Sequence, residues 1–254
     1  MRLVASVVVR NEMSRYLALT IPHMFTYCDE VCVLDDASTD GSADWLEANG
    51  CKVLRQAAST FYVHEGRTRD ALLNWTLAHE PTHVIAIDAD EFITDGKKLR
   101  TALETSDCPT FQVDISEVWK CDTNQLWTRE DGGWRTHPVT FVWRVPETRT
   151  VEWWIRDAAL ACGRTPQMVE EYERLDCTDE TEVGLLHFGW ANADEREQRY
   201  QRYVEHDGGR FHSRTHLDSI MWPDQICGLR ETPWPKTLAP RLRDKIVRAT
   251  NGMP

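Results

Sequence analysis

Four short apolar runs dominate the first third of the chain, and a stretch of helical character separates each from the next. The runs cover residues 3–9, 31–34, 53–54 and 84–87. Between them, residues 14–25 have helical character. The segment "DDASTDGSADWLEANG" supplies Ser38, Thr39 and Asp40 as N-caps and Gly50 as a helix stop. Residues 65–79 place Leu72, Leu73 and Leu77 on one side of a helix. Alternating strands and helices predict an α/β fold built on a mainly parallel sheet flanked by helices. Ligands collect beyond the carboxyl ends of such strands. That edge here carries Arg10-Asn11-Glu12, Asp35-Asp36 and Asp88-Ala89-Asp90-Glu91.

The fourth run, "HVIAIDADEF", goes from buried-strand character into three carboxylates within four residues. In extended chain, residues i and i+2 point the same way, so Asp88 and Asp90 can aim at one point. Hard carboxylate oxygens suit Mg²⁺ or Mn²⁺, and an ion with few protein ligands keeps positions open for phosphate oxygens. The alternative is structural: Asp88 as a cap, with Asp90 and Glu91 solvated. Asp35 and Asp36 carry the same choice between a ribose or base contact and turn chemistry.

Composition narrows the partners. A formal net charge of −12 argues against a nucleic-acid footprint, which needs a basic face. The eight cysteines form no CxxC pair and no zinc spacing, so buried thiols in a reducing compartment are expected. The opening "MRLVASVVVRNE" resembles a signal peptide but stops at Arg10-Asn11-Glu12 without a small-residue cleavage site, and reads as a first buried strand. No apolar run approaches the roughly 20 residues of a membrane span, so the expectation is a cytoplasmic protein with no integral membrane segment.

Beyond Phe111 the character changes. All tryptophans except Trp45 and Trp75 lie there, beside β-like runs such as "VTFVWRV" and "TVEWWI". A short strand reaches His187, a charged helix starts near Ala193–Asp194, and a Pro-bounded basic stretch ends the chain. No linker separates independent domains. One domain over 1–254 is expected, with a nucleotide-sugar half (1–95), an acceptor and catalytic half (96–210) and a C-terminal extension (211–254).

In combination these segments resemble the nucleotide-sugar-binding half of GT-A fold glycosyltransferases, in the broad family 2 group. "VASVVVRNE" resembles that family's opening strand, and "VCVLDDASTDGS" its "DD-x-S-x-DG-T" segment. "EGRTRDALLNWTLAHEPTHVIAIDADEF" resembles its "ARN-x-A...LDADE" segment, and "LLHFGWANADEREQRYQRY" a late "HxGW" segment. The resemblance covers roughly residues 2–95 and is loose between 96 and 184. It implies a Trp-rich mixed α/β acceptor half and a nucleotide-diphosphate sugar as donor. It implies donor contacts from Arg10, Asn11, Glu12, Asp35, Asp36, Arg69 and Asp88, and a Mn²⁺ or Mg²⁺ held by Asp88, Asp90 and His187. Asp70 departs from the family pattern, which has asparagine there.

Such an enzyme moves a sugar to a hydroxyl of a glycan, protein or lipid acceptor, and the resemblance favours inversion. A carboxylate must then take the acceptor proton. Asp157 in "VEWWIRDAAL" and Asp131 in "WTREDGGW" are the candidates, Asp157 preferred. Trp119, Trp127, Trp134, Trp153, Trp154 and Trp190 could line an acceptor groove, although tryptophan more often packs a core. The charged helix reads as a solvated face with helical ion pairs. Two other functions compete: a nucleotidyltransferase that makes nucleotide sugars, against which the glycine-free "RNEMSRY" counts, and a non-catalytic degenerate glycosyltransferase binding module.

Overall fold

The structure, a computed structural model, describes residues 1–131, 134–148, 173–174, 183–207, 214–221 and 228–252. The first half follows the sequence pattern closely. β1 (Leu3–Val9), α1 (Leu17–Met24), β2 (Glu30–Asp35), α2 (Ser42–Ala48), β3 (Lys52–Arg55), α3 (Phe61–Ala78) and β4 (His83–Ala86) succeed one another. The strands lie in the order β3-β2-β1-β4 and all these pairings are parallel. β1 is apolar along its length because both its faces are covered, as parallel strands require. Leu3, Ala5, Val7 and Val9 pack with Leu17, Ile21 and Met24 of α1 and Leu46 of α2. On the opposite face Ser6 shares a hydrogen bond of 3.1 Å with Thr76 of α3.

The sheet then becomes mixed. β5 (Glu91–Ile93), α4 (Gly96–Thr105), β6 (Thr110–Cys121), β7 (Gln125–Thr128) and β8 (His137–Arg144) follow, then β9 (Glu173–Arg174) and β10 (Leu185–His187). β8 joins the parallel block by pairing antiparallel to β4, and β6 pairs antiparallel to β8 and β7. β10 runs parallel to β6 and antiparallel to β5. α5 (Ala193–Asp207), α6 (Arg214–Met221), β11 (Arg230–Pro233) and α7 (Pro240–Thr250) complete the described chain. The α/β class expected from the sequence is therefore present, with its parallel part confined mainly to the first half.

Local chemistry explains several boundaries. α1 begins later than residue 14, because residues 13–16 form turns. α2 starts at Ser42, where the Asp40 carboxylate accepts the Ser42 N–H at 2.9 Å and Gly41 turns the chain with φ +90°. Only glycine adopts that angle without a Cβ penalty. α3 carries a kink at His64 (φ −158°).

Most described tryptophans pack. Trp119 and Trp190 are buried with Tyr200, Leu217 and Ile220, Trp143 sits against Leu73 and Val84, and Trp234 joins Phe188 and Ile246. Cys28, Cys32, Cys51, Cys108 and Cys121 are free, and burial pushes the Cys32 and Cys51 thiols up to about 12. Among the described residues no helix is long and apolar enough to cross a membrane.

Candidate active site

The topology selects one crevice. After β1 the chain steps outward to β2 and β3, then returns to place β4 on the other side of β1. Such a reversal leaves an opening beyond the carboxyl ends of β1 and β4, the usual ligand position in open α/β sheets. The polar residues expected at that edge all follow β1, β2 or β4.

The β1 and β2 loops are fastened to each other. Asn11, in left-handed conformation at φ 55°, donates its backbone N–H to Ser38 Oγ at 3.0 Å, and its Oδ1 accepts the Thr39 N–H at 2.8 Å. Glu12 N–H donates to Ser42 Oγ, and Met13 N–H to Asp40 Oδ2, both at 3.0 Å. Ala37 also has positive φ, 59°. For a residue with a Cβ that costs about 1–2 kcal/mol and survives only where the surroundings impose it.

The two aspartates of this loop have different tasks. Asp36 is fully buried and accepts from Thr60 N–H at 2.7 Å, Ser59 Oγ at 2.6 Å and Phe61 N–H at 3.3 Å. Arg10 donates to Ser59 and stands 4.0 Å from Asp36. The Asp36 carboxylate thus anchors the start of α3, and the donor contact expected of it has no free oxygen to use. In Asp35, Oδ2 accepts the Ser38 N–H at 3.1 Å, while Oδ1 is buried without a hydrogen-bond partner among the described residues. Asp35 is the member of the pair with an acceptor left over. Arg69 is held by Glu65 at 2.7 Å and lies over the Phe61 ring.

Past β4, the Asp88 N–H donates to Glu91 Oε2 at 2.8 Å, which tightens the acidic turn. Asp90 is buried and stands among cations. Its Oδ2 accepts from Arg199 at 2.5 Å and from Arg15 at 3.2 Å, and its Oδ1 faces His187 Nε2 at 3.4 Å. β10 delivers His187 by pairing it with Glu91 of β5 and Glu117 of β6, and Glu117 takes the other ring nitrogen at 2.6 Å. Arg15 is shared further, with Glu12 at 2.5 Å and Glu195 at 2.6 Å.

The electrostatics follow from these pairs. Burial opposes ionisation of Asp90, but Arg199, His187 and Arg15 outweigh it and hold the carboxyl well below its usual range. Burial likewise disfavours a charged His187, yet Glu117 and Asp90 raise it well above the ordinary histidine value. Glu12 is pushed up to about 7, chiefly by burial, with Arg15 pulling the other way.

This arrangement does not fit a divalent ion at Asp88, Asp90 and His187. Both Asp90 oxygens and both His187 ring nitrogens have organic partners of opposite charge. Among the described residues one trio of Cys, His and carboxylate donors lies within 4.8 Å, formed by Glu30, Cys32 and His79. It stands at the other end of β2, where Arg2 (2.5 Å) and Lys52 (3.8 Å) already hold Glu30. The expected meeting of Asp90 and His187 is therefore present, but as a charge pair.

Asp131 chelates Arg129 at 2.5 and 2.8 Å. Arg129 is almost wholly buried, between the Trp119 and Trp134 rings. Asp157, Trp153 and Trp154 lie outside the described residues. Arg15, Arg199, Glu117 and Glu195 are site residues that the sequence reading misses. The sequence pattern assigns Arg199 to a solvated helix face, yet Glu195 and Arg199 stand one turn apart on α5 and both face the crevice. Their i, i+4 spacing beside the late His187 is the available signal.

No protein-family model matches the chain, and no curated protein sequence matches it. Solved structures similar to it include S. aureus TarS residues 1–349, with a TM-score of 0.47 and 14% identity over 87% of this chain and 69% of that one. CMP:2-keto-3-deoxy-manno-octonic acid synthetase complexed with CTP gives 0.35 and 13% over 58% and 79%. A protein titled mannose-1-phosphate geranyltransferase, from Thermus thermophilus, gives 0.31 and 9% over 100% and 68%. Similarities below a TM-score of 0.5 decide nothing about chemistry, which has to come from the site.

Proposed function

We propose that the chain is a GT-A-type glycosyltransferase that moves a sugar from a nucleotide-diphosphate donor to a hydroxyl acceptor, with inversion. The observation that carries this reading is the convergence at the switch point. Three parallel strands deliver Asn11-Glu12, Asp35 and Asp88-Asp90 to one edge, the loops there are cross-linked, and one buried aspartate oxygen is left without a partner. A ribose hydroxyl or a base N–H is the donor that such an oxygen lacks. The ordered family 2 motifs support the same choice.

In this reading Asp35 takes the nucleoside, and Arg10, Asn11 and Asp88 border it. Departure of the nucleoside diphosphate builds negative charge, which cations fixed at the crevice stabilise without reorganising. The acceptor hydroxyl gives its proton to a carboxylate. Asp131 already neutralises a buried guanidinium, and this supports Asp157 as the base. The acceptor is a glycan, a protein or a lipid. The test is nucleotide release from a panel of UDP-, GDP-, TDP- and CMP-sugars, with and without Mn²⁺. Release from at least one donor is expected, reduced in Asp35→Asn and in Asp157→Asn. If no donor binds or turns over, the reading is wrong and a binding module takes its place.

A further inference from the structure

Resting on the nucleotide-diphosphate reading, we infer that Asp90 is a positioning residue and not a metal ligand. It holds Arg199 at the crevice as the cation that receives the diphosphate, and a nucleoside diphosphate binds there without a divalent ion.

The two arginines on Asp90 are not equivalent. Arg15 is used up: its Nε meets Glu195, one Nη meets Glu12 and the other meets Asp90. Arg199 gives Asp90 a single nitrogen, and among the described residues its other N–H groups meet no acceptor. A guanidinium has five N–H donors in a rigid fork, so Arg199 keeps donors in a plane suited to phosphate oxygens. That plane is set from two sides. The guanidinium lies 5.4 Å over the Trp190 ring, and Asp90 fixes its end. Gly189 leaves the room: a Cβ there would stand 2.6 Å from Arg199 Nη1 and 2.5 Å from His187 Nε2.

The charges agree with this division of labour. Arg15 is balanced by three carboxylates, and His187 lies between Glu117 and Asp90. A divalent cation at Asp90 would have to displace two guanidiniums and an imidazole from a buried carboxylate and leave them close to itself. An anion arriving at Arg199 displaces none of them. It meets a cation that is already placed, the kind of preorganised group that stabilises developing phosphate charge.

The experiment is equilibrium binding of UDP, GDP and TDP, each beside its nucleoside, to the full chain by calorimetry in excess EDTA and in Mn²⁺. At least one diphosphate is expected to bind in EDTA with an affinity within about threefold of the Mn²⁺ value, since no metal contact is lost. Arg199→Gln should weaken that diphosphate by about tenfold or more while the nucleoside binds as before, the loss of charge-assisted hydrogen bonds to phosphate alone. Arg199→Lys should recover part of the loss. Binding that needs Mn²⁺ would overturn the proposal and leave the glycosyltransferase reading standing. Equal weakening of nucleoside and diphosphate in Arg199→Gln would reduce Arg199 to a structural residue and overturn it too. No binding in either medium would remove both readings. The EDTA comparison uses the unaltered protein, so it holds even if a variant fails to fold.

Discussion

Gly189→Ala inserts one methyl group into the tightest part of the site. The new Cβ would lie 2.5 Å from His187 Nε2, 2.6 Å from Arg199 Nη1 and 3.0 Å from His187 Cε1. Ordinary contact begins at 3.4 Å, so the imidazole has to retreat by about 0.9 Å. A flexible side-chain end could do that cheaply, but neither neighbour is free. His187 is held by Glu117 at 2.6 Å, and Arg199 is held by Asp90 at 2.5 Å. Overpacking a tight interior costs about 1–3 kcal/mol, and breaking a buried ion pair about 3–5 kcal/mol. Partial separation of the pair puts the expected loss at about 2–4 kcal/mol. At the average unfolding entropy per residue, a chain of this length loses roughly 2 °C of Tm per kcal/mol, so the drop should be about 4–8 °C. Thermal unfolding at pH 7 is the assay, with Gly41→Ala as reference. At Gly41 (φ +90°) nothing lies within 4 Å of the new Cβ, and only the backbone penalty of about 1–2 kcal/mol applies. Gly189→Ala should also be less damaging in an Asp90→Asn background, because the two changes strike one network. A Gly189→Ala protein as stable as Gly41→Ala would show that the imidazole and guanidinium are not pinned, and the account of the site would lose its basis.

Two further outcomes follow from the same geometry. The folded state keeps the Glu12 proton up to about pH 7, whereas the unfolded chain releases it near 4.5, so stability falls as pH rises between those values, by up to about 3 kcal/mol. His187 acts in the same direction: its contribution is complete below 6.5 and is lost as pH rises through its elevated folded value. Asp90, held low, weakens the fold only as pH drops below 3.8. Tm measured from pH 5 to 9 should therefore decline, and Glu12→Gln should flatten the portion below pH 7; a Tm rising across that range would contradict these assignments. Asp36→Ala leaves the N–H groups of Thr60 and Phe61 without their acceptor and should cost about 2–4 kcal/mol in denaturant unfolding, with new protease sensitivity before α3. Unchanged stability with lost nucleotide binding would return Asp36 to the donor-contact role.

The parts of the molecule that depend on local sequence are legible in it. The apolar run 3–9 coincides with β1, and the runs for the other strands of the parallel block lie within one or two residues of the observed strands, because caps and turns set them off. The crevice is legible as well, since strand order and polar strand ends suffice to locate a switch point. The division of work between Asp35 and Asp36 is not. Adjacent residues of extended chain point to opposite faces. The face each carboxylate meets is fixed by Ser38 in one case and by residues 59–61 in the other, and only folding reveals which oxygen stays unpaired. Asp131 reads in the sequence as an acid beside flexible glycines. Its task is hidden because its own neighbour Arg129 is buried, and a buried arginine leaves no mark in a local sequence pattern.

The acidic turn after β4 shows the same limit in its most consequential form. Like charges at that density need compensation, and this much follows from Asp88, Asp90 and Glu91 alone. Two kinds of cation can supply it. A metal ion would be announced by ligands of matching spacing, and Asp88-x-Asp90 with a late histidine has that spacing. Guanidinium compensation comes from anywhere in the chain. Here it comes from Arg15, 75 residues before Asp90, and from Arg199, 109 residues after it. Neither partner is near the acids in sequence, and both stand in segments whose local pattern has another adequate explanation. The choice between the two cations fixes what the site can do with a diphosphate. A metal would bridge the acids to the phosphates, so removing Asp90 would remove the ion. An arginine held by Asp90 contacts the phosphates itself, and removing Asp90 would only loosen it. Asp90→Asn should therefore weaken diphosphate binding less than Arg199→Gln does. A metal site would give the reverse order.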